Sequence, residues 1–371
     1  MSACASCMRR SWLLAELSGP LECCARDRAR LLELLRLSDA ELVKAVGGRR
    51  SAELRARYGA FEAGELPRED GVEAICRHRR GYPDGLRSAS APPMLNVAGT
   101  AKRLASLATA PVVAIVGSAS ASDYGMETAR GLARGLAASG VTVAASLTDG
   151  ITVAAHMGAL EAGGASIAVM GGGLGGSCPA RRRALYARVT RCGCAVCELP
   201  LDHGGRRWGQ LASERIVVAL ARLVVVVEAD ESPADLFGAR IALALGRSLA
   251  AVPGRVSSPL SCGTHALLME GASLVRGPQD VLELLHLPGT PARDRTAPAP
   301  ARAAIGGCGG LEPRLKGTLE RVGSGCDTPD KLTHAGAEPS DVLLALSELE
   351  LMGLLARGDG GRYVPRHPLP S

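Results

Sequence analysis

Between residues 111 and 285 the chain alternates between two hydrophobic patterns. Short unbroken runs of Val, Ala, Ile and Leu are typical of strands that are buried on both faces. These runs predict strands over Val112–Val116, Thr142–Ala145, Ser166–Met170, Ala195–Glu198, Leu223–Glu228 and Leu249–Val252. Apolar residues at helical spacing predict helices between them, over Met126–Ser139, Thr152–Ala162, Pro179–Thr190, Ala212–Ala219 and Ala239–Leu245.

This alternation predicts an α/β fold: a Rossmann-like, mainly parallel sheet with helices on both faces, over residues 76–287. Residues 1–75 carry Leu, Ala and Arg at helical spacing with a break at Gly47-Gly48, which predicts a helical module of the SAM or helix-hairpin-helix kind. Residues 288–310 are rich in Pro, Ala, Gly and Arg and are predicted to be a linker.

Residues 311–371 predict a short helix, a longer amphipathic helix and a small hairpin, which is the order of a winged-helix domain. Leu343, Leu346 and Leu349 are predicted to form its core. The longer helix also carries Asp341 and Glu348, so we expect it to contact protein and not the major groove of DNA.

Composition narrows the function classes only slightly. Of the 371 residues 47% are hydrophobic and 2% are aromatic, so a core is available but base-stacking platforms are scarce. The net charge of +6 favours an anionic partner, although a solvated surface explains it equally well. Because no apolar run reaches the about 18 residues that span a bilayer, and the polar N-terminus lacks a signal-peptide core, we expect a cytoplasmic protein without membrane contact.

Twelve cysteines leave two zinc arrangements to consider. Cys4-x-x-Cys7 with Cys23-Cys24 would supply four thiolates, and Cys192-x-Cys194-x-x-Cys197 would supply three. The second set falls on a predicted buried strand, where cysteine acts as a small apolar residue. We therefore expect reduced structural thiols, with no metal and no other cofactor.

The turn after the first predicted strand carries the first candidate site. Gly117-Ser118 lies between that strand and a helix, where backbone N–H groups at the helix N-terminus favour a phosphate; the alternative is an ordinary tight turn. Arg181-Arg182-Arg183 and Arg206-Arg207-Trp208 also follow strand ends. They either hold a DNA backbone while Trp208 stacks a base, or form a solvated helix start and an apolar edge.

Several short motifs in this order resemble the DNA processing protein A family (DprA, also called Smf) over roughly residues 80–365. They include Tyr82-Pro83, Ala114-Ile-Val-Gly-Ser118, Gly150-Ile151, Ala251-Val-Pro253-Gly254 and Gly263-Thr264. The resemblance implies a protein that binds single-stranded DNA, acts in DNA recombination and natural transformation, passes strands to the RecA recombinase, forms homodimers and is not an enzyme. Taken with the two arginine groups above, the predicted DNA-binding residues are Gly117, Ser118, Ser120, Ser122, Tyr124, Gly150, Arg181, Arg182, Arg183, Arg206, Arg207, Arg215, Gly263 and Thr264.

The chain departs from the family pattern at the predicted phosphate pocket. Ala119 stands where the family has Arg, and Thr152 stands where it has Asp; Asp149, Glu214 and Asp235 add carboxyl groups. Negative charge near a phosphate site opposes binding, so a paralogue that has lost DNA affinity is one alternative. The other is a phosphoribohydrolase-like enzyme that would use Gly254 and Gly263-Thr264.

Two further polar residues are predicted to be structural. His156 follows Gly150-Ile151 on a predicted helix without a nucleophile in an obvious constellation, so it is expected to form structural hydrogen bonds. Glu228 closes a Val run and is expected to accept hydrogen bonds from backbone amides in the pocket floor, or else to act as an acid.

Overall fold

The computed structural model describes residues 3–87, 91–175, 178–285, 312–323, 326, 328–334, 338–352, 354–357 and 362–365. The chain divides into two compact units, Met1–Ala292 and Arg293–Ser371. The predicted linker at 288–310 lies outside the described residues.

A nine-stranded mixed sheet forms the centre of the first unit. Its strands are β1 (Val72–Cys76), β2 (Met94–Ala98), β3 (Val112–Val116), β4 (Thr142–Ser146), β5 (Ser166–Val169), β6 (Cys194–Cys197), β7 (Leu223–Val226), β8 (Ser248–Ala251) and β9 (Ser273–Leu274). They lie in the order β1-β2-β6-β5-β4-β3-β7-β8-β9. All neighbouring pairs from β6 to β9 are parallel, whereas β1 pairs antiparallel with β2, and β2 with β6. The predicted Rossmann-like fold is confirmed.

Thirteen helices of the described part surround this sheet. They are α1 (Ala5–Glu16), α2 (Ser18–Cys24), α3 (Arg28–Arg36), α4 (Asp39–Val46), α5 (Ser51–Ala60), α6 (Ala101–Thr109), α7 (Asp123–Ala138), α8 (Ile151–Glu161), α9 (Arg183–Cys192), α10 (Arg207–Leu220), α11 (Phe237–Ala244), α12 (Cys262–Met269) and α13 (Pro278–Leu284). Among the described helices, none is both long and apolar enough to cross a membrane.

The strand β3 shows how the Val-rich runs build two cores. Val112, Ala114 and Val116 contribute to one hydrophobic cluster, while Val113 and Ile115 contribute to another on the opposite face of the sheet. Side chains alternate between faces along a strand, so an unbroken apolar run fills both layers. The predicted alternation of strands and helices from β3 to β8 rests on this rule.

The N-terminal helices pack directly on the sheet. Leu13 and Leu31 lie in the same hydrophobic cluster as Val112 and Ala144. The predicted boundary between residues 75 and 76 falls inside β1, because β1 pairs with β2 and extends the sheet. These helices and the α/β sheet therefore form one unit, Met1–Ala292.

The second unit contains α14 (Pro313–Gly323), α15 (Pro329–His334), α16 (Pro339–Leu351), and the antiparallel pair β10 (Leu355–Arg357) and β11 (Tyr363–Pro365). The two predicted helices and the hairpin are present in the predicted order, but α14 precedes them and was not predicted. The winged-helix assignment stays a prediction. Leu346 and Leu349 are buried as predicted, whereas the prediction for Leu343 is wrong: its side chain is 53% exposed. The buried row of α16 is Val342, Ala345, Leu346 and Leu349, and Leu343 lies about 100° away around the helix from Val342.

Candidate nucleic-acid interface

A cavity of about 480 Å³ opens at the carboxyl ends of the central strands. The chain runs outward from β3 to β6 and then returns to β7 beside β3, so the strand order reverses between β3 and β7. Gly117 lines the cavity from the loop after β3, and Asp235 lines it from the loop after β7. This position is the switch point at which open α/β sheets bind their ligands.

Two glycines allow the loops around the cavity to approach each other. Gly117 has a φ of +153°, and a Cβ there would lie 2.5 Å from the carbonyl oxygen of Glu228. Gly150 has a φ of +62°, and a Cβ there would lie 2.3 Å from the carbonyl oxygen of Ser118. Both positions require glycine for the backbone itself. Gly117 also lines the cavity, whereas Gly150 shapes the loop behind it.

A carboxylate of the protein already occupies the N-terminus of α7. Glu228 is 2% exposed, and its two oxygens accept hydrogen bonds from the Ser122 amide at 2.8 Å and the Ser122 hydroxyl at 2.6 Å. Ser122 in turn caps α7 by accepting from the amide of Gly125 at 3.2 Å. The sequence predicted a phosphate site at this end of the helix. The carboxyl group of Glu228 lies there instead and accepts hydrogen bonds, as expected for this residue.

Two other hydroxyl groups of the predicted pocket, those of Ser118 and Tyr124, form hydrogen bonds within the protein. Ser118 is buried, and its hydroxyl accepts from the amide of Ser120 at 3.2 Å. Tyr124 is half exposed and donates to the carbonyl of Pro253 at 3.0 Å. Ser118, Ser120, Ser122 and Tyr124 do not line the cavity described above.

Gly263 and Thr264 pack inside the first turn of α12. A Cβ at Gly263 would lie 2.1 Å from the carbonyl oxygen of Asp230. Thr264 is 1% exposed, and its hydroxyl donates to the carbonyl of Ser261 at 3.0 Å. Neither residue lines the cavity at the switch point.

The three arginines of the triplet have different environments, and only Arg181 lines the cavity. Arg181 donates to one oxygen of Asp149 at 2.7 Å and is 65% exposed, while Arg182 is bound to the other oxygen and donates to the Thr148 carbonyl at 3.1 Å. Arg183 is exposed at the start of α9. Partial burial alone would raise the pKa of Asp149, but the hydrogen bonds from Arg182 and Arg181 outweigh it and lower that pKa.

Arg206, Arg207 and Trp208 lie at the start of α10 but differ in exposure. Arg206 and Arg207 are exposed, and Arg207 lines the cavity. Trp208 is fully buried and donates from Nε1 to the hydroxyl of Ser18 at 2.8 Å, so the interpretation of Trp208 as a base-stacking residue is wrong. Its indole instead fixes α10 to the N-terminal helices.

Arg215, predicted to bind DNA, is buried and does not belong to the candidate surface. It is 4% exposed and donates to Glu198 at 2.6 Å and to the carbonyl of Ala212 at 2.8 Å. Its guanidinium is therefore directed into the protein. The pair stands between α10 and the end of β6, where two ionised groups out of water must satisfy each other.

Residues 73–286, more than half of the chain, match the DNA recombination-mediator protein A family. The chain belongs to this family. Among its curated relatives, the Mycobacterium tuberculosis DNA processing protein DprA is 38% identical over 248 residues, which are 67% of this chain and 62% of that protein. Smf of Escherichia coli is 36% identical over 256 residues, or 67% of this chain and 66% of Smf. The chain thus spans just under two thirds of the length of each of these two relatives.

Two solved structures share the fold of this DprA-family chain. The Streptococcus pneumoniae DprA structure has 26% identity and a TM-score of 0.59, and it covers 76% of this chain and 98% of that one. Helicobacter pylori DNA processing protein A, which binds single-stranded DNA, has 24% identity and a TM-score of 0.51 over 58% of this chain and 95% of that one. The similarity to the Helicobacter pylori protein shows a shared fold and nothing more.

The cavity of this DprA-family chain carries less negative charge than the number of its carboxyl groups indicates. Three carboxyl groups, Asp149, Glu214 and Asp235, line it together with three arginines. Burial raises the pKa of Glu214 to about 8, with Asp235 adding to this and Arg28 opposing it. Burial also raises the pKa of Asp235. At pH 7 Glu214 is therefore mostly protonated, and the charges of the lining favour an anion.

One arginine of this lining was missed from the sequence. Arg28, at the start of α3, lines the cavity with its guanidinium carbon 5.7 Å from the centre of the Phe237 ring. Nothing in the pattern around residue 28 indicates this role. It depends on the packing of the N-terminal helices against α10, which is a tertiary contact.

His156 is structural in this fold, as expected. It is fully buried, with Nδ1 2.8 Å from the Ser166 hydroxyl and Nε2 3.2 Å from the Ser146 carbonyl. Burial lowers its pKa to about 4, so the imidazole is neutral at physiological pH. It joins α8 to β4 and β5 beneath the cavity. Thr152, on the same helix, lines the cavity and is 4% exposed.

Proposed function

We propose that this family member binds the backbone of single-stranded DNA across the cavity at the switch point and acts as a recombination mediator. The observation that carries the proposal is the arrangement of Arg28, Arg181 and Arg207 around one cavity at the ligand-binding edge of the sheet. Arginine guanidinium groups form charge-assisted hydrogen bonds with phosphate oxygens. Membership of a family of recombination mediators supplies the biological context.

The lining favours contacts to the sugar-phosphate backbone over contacts to bases. None of the described residues that line the cavity is aromatic, and Trp208 is buried. Exposed Arg183 and Arg206 extend the positive surface beyond the cavity. We therefore propose binding that depends little on base sequence and strongly on salt, because released counterions drive it.

The partners of this activity follow from the family resemblance. We propose that the chain forms a homodimer through its α/β unit, passes single strands to the RecA recombinase and serves natural transformation. Light scattering of the purified protein measures the dimer, and capture of RecA on a strand loaded with this protein measures the transfer. A monomer at all concentrations, or RecA filaments that form at the same rate with and without the protein, would contradict these two proposals.

Fluorescence anisotropy of a labelled poly-dT oligomer tests the DNA proposal. Arg181→Ala and Arg207→Ala each remove a charged group from the rim. Because a charge-assisted hydrogen bond contributes about 1.5–3 kcal/mol, we expect the Kd of each variant to rise by a factor of about ten or more. The slope of log affinity against log salt should become shallower by about 0.7 for each lost phosphate contact.

Arg222→Ala is the matched control. Arg222 is exposed immediately before β7, at the opposite edge of the sheet, so its replacement removes the same charge far from the cavity. Equal losses in all three variants would indicate a general charge effect and refute the cavity as the binding site. Absence of binding by the unaltered protein at low salt would leave the paralogue without DNA affinity as the better description.

A further inference from the structure

Four metal-binding side chains converge where the first helix meets the first strand. Cys4 and Cys7 lie at the start of α1, Cys76 is the last residue of β1, and His78 follows two residues later. Their ligand atoms all lie within 4.8 Å of one another. The zinc arrangement considered from the sequence combined Cys4 and Cys7 with Cys23 and Cys24. Cys23 is exposed, and neither Cys23 nor Cys24 belongs to this cluster.

The dimensions of the cluster are close to those of a tetrahedral zinc site. The Sγ atoms of Cys4 and Cys7 are each 3.3 Å from Nδ1 of His78. Zinc binds thiolate sulfur at about 2.3 Å and imidazole nitrogen at about 2.0–2.1 Å, so ligand atoms at tetrahedral angles lie about 3.5–3.8 Å apart. One nitrogen equidistant from two sulfurs is the geometry of ligands around a common centre.

The environment of the cluster favours a structural ion over a catalytic one. Cys7 and Cys76 are buried, Cys4 is half-buried and only His78 is exposed. Three cysteines and one histidine make a complete four-ligand set with no position left for water or substrate. The amide of Cys4 lies 3.4 Å from Sγ of Cys76, the kind of outer contact that orients a metal-bound thiolate.

We propose that Cys4, Cys7, Cys76 and His78 bind one zinc ion that fastens the N-terminal helices to the edge of the sheet. The ion would join residues 4 and 7 to residues 76 and 78 across more than 70 positions of chain. The helices held in this way carry Arg28 to the cavity and Ser18 to Trp208. This inference does not depend on the proposed DNA binding. It replaces the expectation of reduced thiols without metal.

Metal analysis of the full chain, purified with reductant and without a metal-affinity tag, tests this site. We expect about one zinc ion per chain. Cys76→Ser and His78→Ala should each lower zinc content tenfold or more, and His78→Ala changes an exposed side chain that the hydrophobic core does not need. Cys262→Ser, an exposed cysteine outside the cluster, should retain the wild-type zinc content.

Cobalt supplies a second measurement that does not require a folded variant. Co²⁺ added to the zinc-depleted wild-type chain should give the absorption of tetrahedral thiolate coordination, and added Zn²⁺ should remove it. A chain that holds less than about a tenth of a zinc ion and gives no cobalt spectrum would overturn the proposal. A Cys4–Cys7 disulfide in the protein as isolated under reductant, detected by mass spectrometry, would overturn it equally.

Discussion

Replacement of Glu214 by Gln should remove a loss of stability that the wild-type chain undergoes as the pH rises. Glu214 lines the cavity beside Asp235, and burial raises its pKa from 4.5 to about 8 in the folded chain. Between these two values the folded state keeps a proton that the unfolded state has released. The free energy of unfolding therefore falls as pH rises from about 4.5 to about 8, by about 1.4 kcal/mol per pH unit.

The accumulated effect is large enough to measure. Over the interval from pH 5 to pH 8 the loss is on the order of 4 kcal/mol, a sizeable part of the stability of an ordinary domain. Glu214→Gln keeps the shape of the protonated side chain and cannot ionise. The difference in unfolding free energy between the variant and the wild type should grow in favour of the variant over this interval.

Urea denaturation at several pH values between 5 and 8.5 is the assay. Glu161→Gln is the control, because hydrogen bonds from Arg130 lower the pKa of that exposed carboxyl group, and its contribution changes only below its ordinary value. The control should therefore show a constant difference from the wild type. A constant difference for Glu214→Gln as well would refute the reasoning, since it would mean that the folded chain ionises Glu214 as readily as the unfolded chain does.

Three further substitutions test the charges and contacts around the cavity. Asp149→Asn should strengthen poly-dT binding about three- to tenfold in an anisotropy titration, because it removes the negative charge that pairs with Arg181 and Arg182; weaker binding would show that Asp149 instead positions them. Arg215→Ala should lower the free energy of unfolding in urea by about 3–5 kcal/mol, because Glu198 is left buried without a partner; a loss below about 1 kcal/mol, typical of an exposed pair, would contradict this. In a Trp12→Phe background, the emission of Trp208 should be unchanged by saturating single-stranded DNA, because its ring is buried; quenching would restore the base-stacking interpretation.

The fold was largely predictable because the central strands are defined by local composition. The Val-rich runs of β3 and β7 mark strands buried on both faces, and the structure has β3 at the predicted residues. The strands β1 and β2 were missed because their patterns are mixed. Asn96 stands in the middle of β2 and is buried, and its side-chain amide donates to the Leu199 carbonyl at 2.8 Å. A buried polar residue with a distant partner cannot be distinguished from a loop residue by periodicity.

The site was less predictable because the role of an arginine depends on its partners. Arg181 and Arg215 have the same side chain, but one is 65% exposed at the rim and the other is 4% exposed beside Glu198. Glu198 is 17 residues from Arg215 in sequence and becomes its neighbour only when β6 and α10 pack together. Arg28 was missed for the same reason. Only the tertiary contacts decide which positive charges face a ligand.

The charges of the cavity indicate how the DNA binding that we propose would be distributed between its floor and its rim. Glu228 takes the hydrogen bonds at the α7 terminus that a phosphate would otherwise receive. The attraction for a phosphate would then come from the arginines of the lining, of which Arg181 and Arg207 are exposed and Arg28 is half-buried. Exposed arginine contacts are screened by salt more than buried ones. It follows that affinity should depend on salt throughout the titration, and that a Glu228 variant should loosen the loop before α7 without creating tighter DNA binding.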